Sequence, residues 1–165
     1  MSELAKAFTD EYDMNIHRVF WQGNTANRDQ FRINELLFDV VVCSVSSEES
    51  LQRRSNRLEF VHQCHWQVES EFNRRDSREI VIDMSKLVIG SAENKLFVAA
   101  HRKTKARELL TLCAQIARQC SGNVFFAFVA HPEEWDTNPR APVLYEWLAG
   151  DWEPMKHVTG SGQSD

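Results

Sequence analysis

Between residues 3 and 20, apolar side chains return every three or four positions: Leu4, Phe8, Tyr12, Ile16 and Val19. That spacing predicts a single amphipathic N-terminal helix. The turn-forming run GNTANRD, residues 23–29, breaks it. From 31 to 45, FRINELLFDVVVCSV, the pattern changes to alternation rich in β-branched residues. This predicts a strand with Leu36, Phe38, Val40 and Val42 on one face and Glu35, Leu37, Asp39 and Val41 on the other. A polar loop, SSEESLQRRSN at 46–56, leads to a second alternating strand, RLEFVHQCHWQVESEF at 57–72, and the two are expected to pair as an antiparallel hairpin.

The next segment returns to helical spacing. Asp76 with Glu79 three residues on resembles a capping box. Ile80, Met84, Leu87, Val88 and Ser91 then form one stripe, while Glu79, Asp83 and Lys86 form another. KLFVAA, 95–100, reads as a short strand. TKARELLTLCAQIARQCSG, 104–122, reads as a helix with Leu109, Leu112, Cys113, Ile116 and Cys120 on one side and Gly122 at its exit. NVFFAFVAH, 123–131, is almost wholly apolar, as suits a strand covered on both faces. Strand, helix and strand of these lengths form a βαβ unit with parallel strands. HPEEWDTNPRAP follows as a loop, and VLYEWLAGDW as an edge strand or short helix. The expected fold is α/β (α+β): a single mixed β-sheet flanked by helices, in the order αββαβαβ. One domain spans 1–156, and 157–165 form a flexible tail.

Composition narrows this picture. The 165 residues are 42% hydrophobic and 26% charged, enough for one well-filled core. The net charge of −5 argues against attraction of the whole molecule to nucleic acid or an anionic membrane. No run of 18 apolar residues suggests a membrane span. The opening MSELAKAFTDEYD is too polar and acidic for a secretory signal, which points to the cytoplasm. Cys43, Cys64, Cys113 and Cys120 lie inside apolar segments and read as small core residues of a reduced protein. His62, Cys64 and His65 offer soft ligands, but no second pair stands at zinc-site spacing.

The stretch WQVESEFNRRDSREIVIDMSKL, 66–87, carries the candidate chemistry. Alternation points Glu69 and Glu71 the same way, roughly 7 Å apart, with Glu59, Val61, Gln63, His65 and Gln67 on the same face. Two carboxylates so close repel unless a cation lies between them. Mg²⁺ or Mn²⁺ is the natural choice, a hard ion that binds carboxylates and keeps waters for activation. Pairing of the two strands would set Asp39 opposite the middle sixties and Glu35 opposite the high sixties. Asp39, between LLF and VVV, is the favoured third ligand, with Glu35 as the alternative. Lys86, one helical turn from Asp83, could orient a metal-bound water or stabilise developing phosphorane charge.

Glu-x-Glu followed by an aromatic residue and Asn, ESEFN, with a charged helix next, resembles the restriction-endonuclease-like, or PD-(D/E)XK, superfamily. The likeness is to its BamHI-type variant, in which Glu replaces the usual Lys of the third motif. It covers roughly residues 30–101, and the order of elements is similar to that superfamily's core of helix, strand meander, helix and strand. The resemblance implies a Mg²⁺-dependent nuclease in which Asp39, Glu69 and Glu71 bind the metal and Lys86 supplies a lysine migrated to the following helix. Asp39 stands further upstream than is usual and has no Pro before it.

Basic residues cluster at QRRSNR, NRR and HRKTKAR. Arg74, Arg75, Arg102, Lys103 and Lys105 follow strand ends that flank the carboxylates, where contacts to nucleic-acid phosphates would be useful. A homodimer would allow both strands of a duplex to be cut. The rival expectation is a non-catalytic binding or regulatory module on the same scaffold, meeting a protein partner through its acidic, Trp-bearing C-terminal third. A further alternative leaves Glu69 and Glu71 facing solvent, paired with Arg57, Arg74 or Arg75.

Overall fold

A computed structural model of the chain describes residues 1–33, 35–49, 57–73, 77–101, 106–137 and 140–155. It is an α+β protein built on one mixed seven-stranded sheet. The strands are β1 (His17–Trp21), β2 (Val40–Glu49), β3 (Arg57–Glu71), β4 (Asn94–Ala100), β5 (Asn123–Val129), β6 (Val143–Leu148) and β7 (Asp151–Pro154). They lie side by side in chain order. The pairs β1–β2 and β2–β3 are antiparallel, β3–β4 and β4–β5 parallel, and β5–β6 and β6–β7 antiparallel.

Each parallel step is crossed by a helix, as parallel pairing requires: α3 (Ser77–Ile89) joins β3 to β4, and α4 (Ala106–Ala117) joins β4 to β5. Both pack on the same face of the sheet. Ile80, Met84 and Leu87 of α3 and Leu109, Cys113 and Ala117 of α4 meet Phe20, Val41, Phe97, Phe126 and Phe128 in the main core. The other face carries α1 (Ser2–Glu11). Its Ala5, Leu4 and Phe8 pack on Val19, Val40, Val42 and Val68. Alternation along each central strand thus feeds two cores, which is why β5 reads as nearly continuous apolar sequence.

Several expectations need correction. The N-terminal helix ends at Glu11 rather than continuing to 20, and residues 17–21 form β1. Asp13 closes the break, its Oδ1 accepting from Asn15 N at 2.9 Å. The expected turn at 23–29 contains most of a short helix, α2 (Ala26–Phe31), ended by Arg32 at φ 64°. β2 starts at Val40, not 31, and runs on into the expected loop as far as Glu49. Phe38 therefore escapes the alternation: it lies in the main core, while Val40 and Val42 face α1. Leu112 was placed on the buried side of α4 but is exposed. VLYEWLAGDW is neither a lone edge strand nor a helix but a hairpin, β6–β7, turning through Ala149 (φ 51°) and Gly150 (φ 95°). The order is therefore αβαββαβαβββ rather than αββαβαβ. The Asp76 cap, Arg57's side chain and residues 157–165 lie outside what the structure describes.

A buried cation ties the sheet to its crossovers. Lys95, at the second position of β4, is fully buried and donates to Ala92 O at 3.2 Å and to Ser121 Oγ at 3.1 Å. Burial lowers its pKa. The α4–β5 turn is pressed onto the α3–β4 loop here, and at Gly122 (φ 74°) an added Cβ would overlap the Glu93 carbonyl oxygen. At Gly150 nothing lies within 4 Å. Both glycines have positive φ, so Gly150→Ala is expected to cost about 1 kcal/mol from backbone strain alone. Gly122→Ala, with strain and a backbone collision together, is expected to cost about 3 kcal/mol. Urea unfolding of the two variants beside wild type checks the ranking.

Candidate functional site

Where β3 pairs with β2 on one side and β4 on the other, its odd-numbered residues from Gln67 onward point at α3. Gln67 is buried, its Oε1 accepting from Ala92 N at 3.4 Å. Its side-chain amide also fills the space beside Gly90 that a Cβ would need. Glu69 comes next, in register with Phe97 of β4, and is only 1% exposed. A carboxylate in an apolar layer is costly unless it is paired. The partner comes from α3: Lys86 Nζ lies 3.1 Å from Glu69 Oε2 and 2.8 Å from Asp83 Oδ1. The stripe Ile80, Met84 and Leu87 holds α3 against the sheet, so Asp83 and Lys86 fall on its flank above Glu69.

The pairing is incomplete. Glu69 Oε1 is buried and has no hydrogen-bond partner. Burial is the main reason its pKa rises to about 7; the hydrogen bond from Lys86 opposes the rise, and the charges of Asp39 and Asp83 add to it. Lys86 is also pushed upward, which for a cation favours the charged form, chiefly by its bond to Asp83, against the cost of desolvation and with the help of its contacts with Glu69.

Asp39 ends beside the same strand. It was expected opposite the middle sixties, but Val40 pairs with Val68, so Asp39 lies at the level of Glu69. Its Oδ2 accepts from Ser70 N at 2.9 Å and from Ser70 Oγ at 2.6 Å. Asp39 and Glu35, the two alternatives for the upstream carboxylate, line one cavity of about 450 Å³ together with Ser70, Trp21 and Gln22. Neither Glu69 nor Glu71 is among the residues lining it. Glu71 is half-buried, and its Oε1 accepts from Asn73 N, two residues on.

The structure therefore brings Glu69, Lys86 and Asp83 into contact, sets Asp39 on the neighbouring Ser70, and turns Glu71 toward the strand's own end. Ser70 was missed from the sequence, although a small hydroxyl residue between two glutamates in a buried strand was a signal. Arg74, Arg75, Arg102, Lys103 and Lys105, the expected phosphate contacts, lie outside the described residues. Among the described residues no group of three or more His, Cys, Asp or Glu side chains is placed to hold a metal ion. The expectation that Glu69 faces solvent is overturned by its burial.

His65 does not share a face with Gln67 and Glu69 as alternation implied. Val42 pairs with Trp66 and Cys43 with Cys64, so His65 is an extra residue in a bulge. The bulge sends His65 toward α1, its ring 6.0 Å from Tyr12 and 5.2 Å from His17. Cys64 packs against the main core. All four cysteines are free thiols. Burial raises Cys43 and Cys113 to about 12 and Cys64 to about 11, as expected of packing groups rather than nucleophiles.

Searches against protein-family models, curated proteins and solved structures find no match to this chain. Among the described residues no helix is long and apolar enough to cross a membrane.

The raised pKa of Glu69 makes a stability prediction. Its folded pKa, about 7, exceeds the reference value of 4.5. The folded state therefore binds the proton more tightly, and its contribution is full below pH 4.5 and is lost as pH rises to about 7. A shift of this size corresponds to about 3 kcal/mol. Glu69→Gln keeps the shape and removes the titration. The difference in unfolding free energy, wild type minus Glu69→Gln, should fall by about 3 kcal/mol between pH 4.5 and pH 7.5 and then level off. Urea unfolding at a series of pH values measures it.

Proposed function

We propose that this chain is a metal-dependent nuclease-like protein that hydrolyses phosphodiester bonds in nucleic acid. The observation that carries the reading is the buried Glu69 of β3, held by a lysine from the following helix while one carboxylate oxygen is left without a partner. The elements around it agree with the order expected of a restriction-endonuclease-like core. A helix, α1, precedes the antiparallel strands β1, β2 and β3, with the short α2 inserted between β1 and β2; α3 follows, and β4 lies parallel to β3.

The donor set suits a hard divalent cation in its chemistry. It is all oxygen, and Glu69 Oε1 is an anionic atom lacking the neighbour it needs. Glu69, Glu71 and Asp39, which do not form a gathered ligand group as they stand, would have to converge to hold Mg²⁺ or Mn²⁺, which when bound would supply Lewis-acid polarisation of phosphate and a more acidic water. The protein's own groups do the rest. Lys86 fixes the Glu69 carboxylate and keeps a positive charge next to it. Asp83 holds Lys86 from the far side, so the ammonium stays in place when Glu69 takes up other contacts. Ser70 orients Asp39 through two hydrogen bonds to one oxygen, leaving the other oxygen for a ligand. The basic runs at 74–75 and 102–105 follow the C-terminal ends of β3 and β4, where a phosphodiester chain would be gripped, and a homodimer would serve both strands of a duplex.

A specific observation favours the second reading, a non-catalytic binding module on this scaffold. Lys86 already closes on Glu69 and Asp83, and the cavity beside Asp39 does not extend to Glu69 or Glu71. Calorimetric titration with Mg²⁺ and Mn²⁺ separates the two. Wild type is expected to bind metal and the Glu69→Ala/Glu71→Ala variant to lose binding while keeping its circular dichroism spectrum. Cleavage of DNA or RNA by wild type in Mn²⁺ is expected to fall at least 10²-fold in Lys86→Ala. A folded wild type that binds neither metal at millimolar concentration overturns the nuclease reading and leaves the binding module.

A further inference from the structure

The two faces of the sheet are unequally covered. On one face α3 and α4 spread the main core across β1 to β5 and on to Trp152 of β7. On the other, α1 covers Val19, Val40, Val42 and Val68, and the outward residues of β4, β5 and β6 extend beyond it. Leu96, Val98, Ala127 and Leu144 form the floor of a groove of about 530 Å³ there. Leu4 of α1 walls one side, and Trp135, which is 50% exposed, stands on another. This volume lies within the range of small-molecule sites, and the floor is apolar as theirs are.

Two charged side chains line the groove, those of Glu3 and Arg140. The Glu3 carboxylate is engaged by Lys6 at 2.8 Å. Arg140 has no ion pair among the described residues. The groove thus combines an apolar bed, crossing from β4 to β6 over roughly 10 Å at the usual strand spacing, with one guanidinium available at its edge. A guanidinium pairs best with a carboxylate or phosphate, through two parallel hydrogen bonds.

We infer that this groove is a binding site for a single-chain amphiphile with an anionic head, such as a medium-chain fatty acid, whose tail lies on Leu96, Val98, Ala127 and Leu144 and whose head meets Arg140. The site is separate from Glu69 and Lys86, which face the other side of the sheet, and it does not depend on the nuclease reading. A neutral chain would leave Arg140 unused, and a second copy of this acidic protein would bring further negative charge beside Glu3.

Decanoate is the probe, titrated into the full chain in metal-free buffer below its micelle concentration. Binding is read by calorimetry and by the fluorescence of Trp135, identified with Trp135→Phe. Saturable one-to-one binding is expected, weakened about tenfold in Arg140→Gln, which loses one charge-assisted contact. Decanol, with the same tail and no charge, should bind wild type and Arg140→Gln alike. Ala127→Leu, which fills the floor, should bind less decanoate while its melting transition stays cooperative. No saturable binding, or equal binding by Arg140→Gln, overturns the inference. So does a concentration-dependent dimer that Ala127→Leu dissociates, since the groove would then be an interface between copies. Glu69→Ala/Glu71→Ala should bind decanoate as wild type does, so failure here and failure of the metal titration are told apart.

Discussion

A carboxylate that cannot reach water organises the centre of this protein. Glu69 sits in a layer otherwise made of Phe97, Ile80, Met84 and their neighbours, paired with Phe97 of β4 and one residue beyond the last β2–β3 pair, Val40 with Val68. Its burial is tolerable only because α3 crosses β3 with Lys86 facing down. The same ammonium is held from its other side by Asp83 of α3. An ion pair of this kind adds little net stability compared with an apolar pair of similar volume, whereas breaking it strands a buried charge. A sequence free to optimise stability alone would replace it. That it is present, with Glu69 Oε1 unsatisfied, is the physical ground for regarding this end of β3 as a site.

The same strand sets the limits of what the sequence could disclose. β5, α3 and α4 were legible because burial on both faces, or on one helical stripe, leaves an unmistakable period. Glu69 stood out as a charge inside an apolar run that needs a cation, but the cation expected there was a metal ion. The one that contacts it is Lys86, whose expected partner was a metal-bound water or Asp83. Helical spacing from Leu4 through Val19 was misleading. Leu4, Phe8 and Tyr12 pack on the sheet as a helix would place them, but Ile16 is 54% exposed and Val19 belongs to a strand. The local bonds of Asp13 and Asn15, invisible to a periodicity argument, stop the helix between them. The sequence of 31–39 alternates like a strand, yet Phe31 ends α2 and none of the described residues from 32 to 39 is paired in the sheet, so alternation alone overstated β2.

Register was the least accessible quantity. Two irregularities between β2 and β3, at Val42/Cys43 and Ser44/Val45, each shift the side chains by one position. Without them Cys64 would face α1, His65 would face α3, and Asp39 would lie beyond the reach of Ser70. Bulges are set by how two strands fit together, and one strand's sequence does not announce them. The cost of ignoring them is specific. The expected line of polar residues from Glu59 to Glu71 on one face does not exist. Its lower part contributes Glu59 to a contact with Arg18 at 3.6 Å and His65 to one with Glu93 at 3.2 Å, and only Gln67, Glu69 and Glu71 remain together.

Unequal coverage of the two faces follows from topology rather than from any one residue. A parallel step must be crossed by a connection lying on one face, and right-handed crossovers between successive strands in one direction put both helices on the same side. With the strands added in order β3, β4, β5, helices α3 and α4 had to share a face. The opposite face is left to whatever precedes the meander, here a ten-residue helix about 15 Å long. Seven strands at the usual spacing are roughly 29 Å wide, so α1 covers only part of that width. The segment after β5 brings Trp135 and Arg140 over what remains without filling it. The groove is thus a consequence of the same ordering that places Lys86 over Glu69, and the sheet separates the two features by its own thickness.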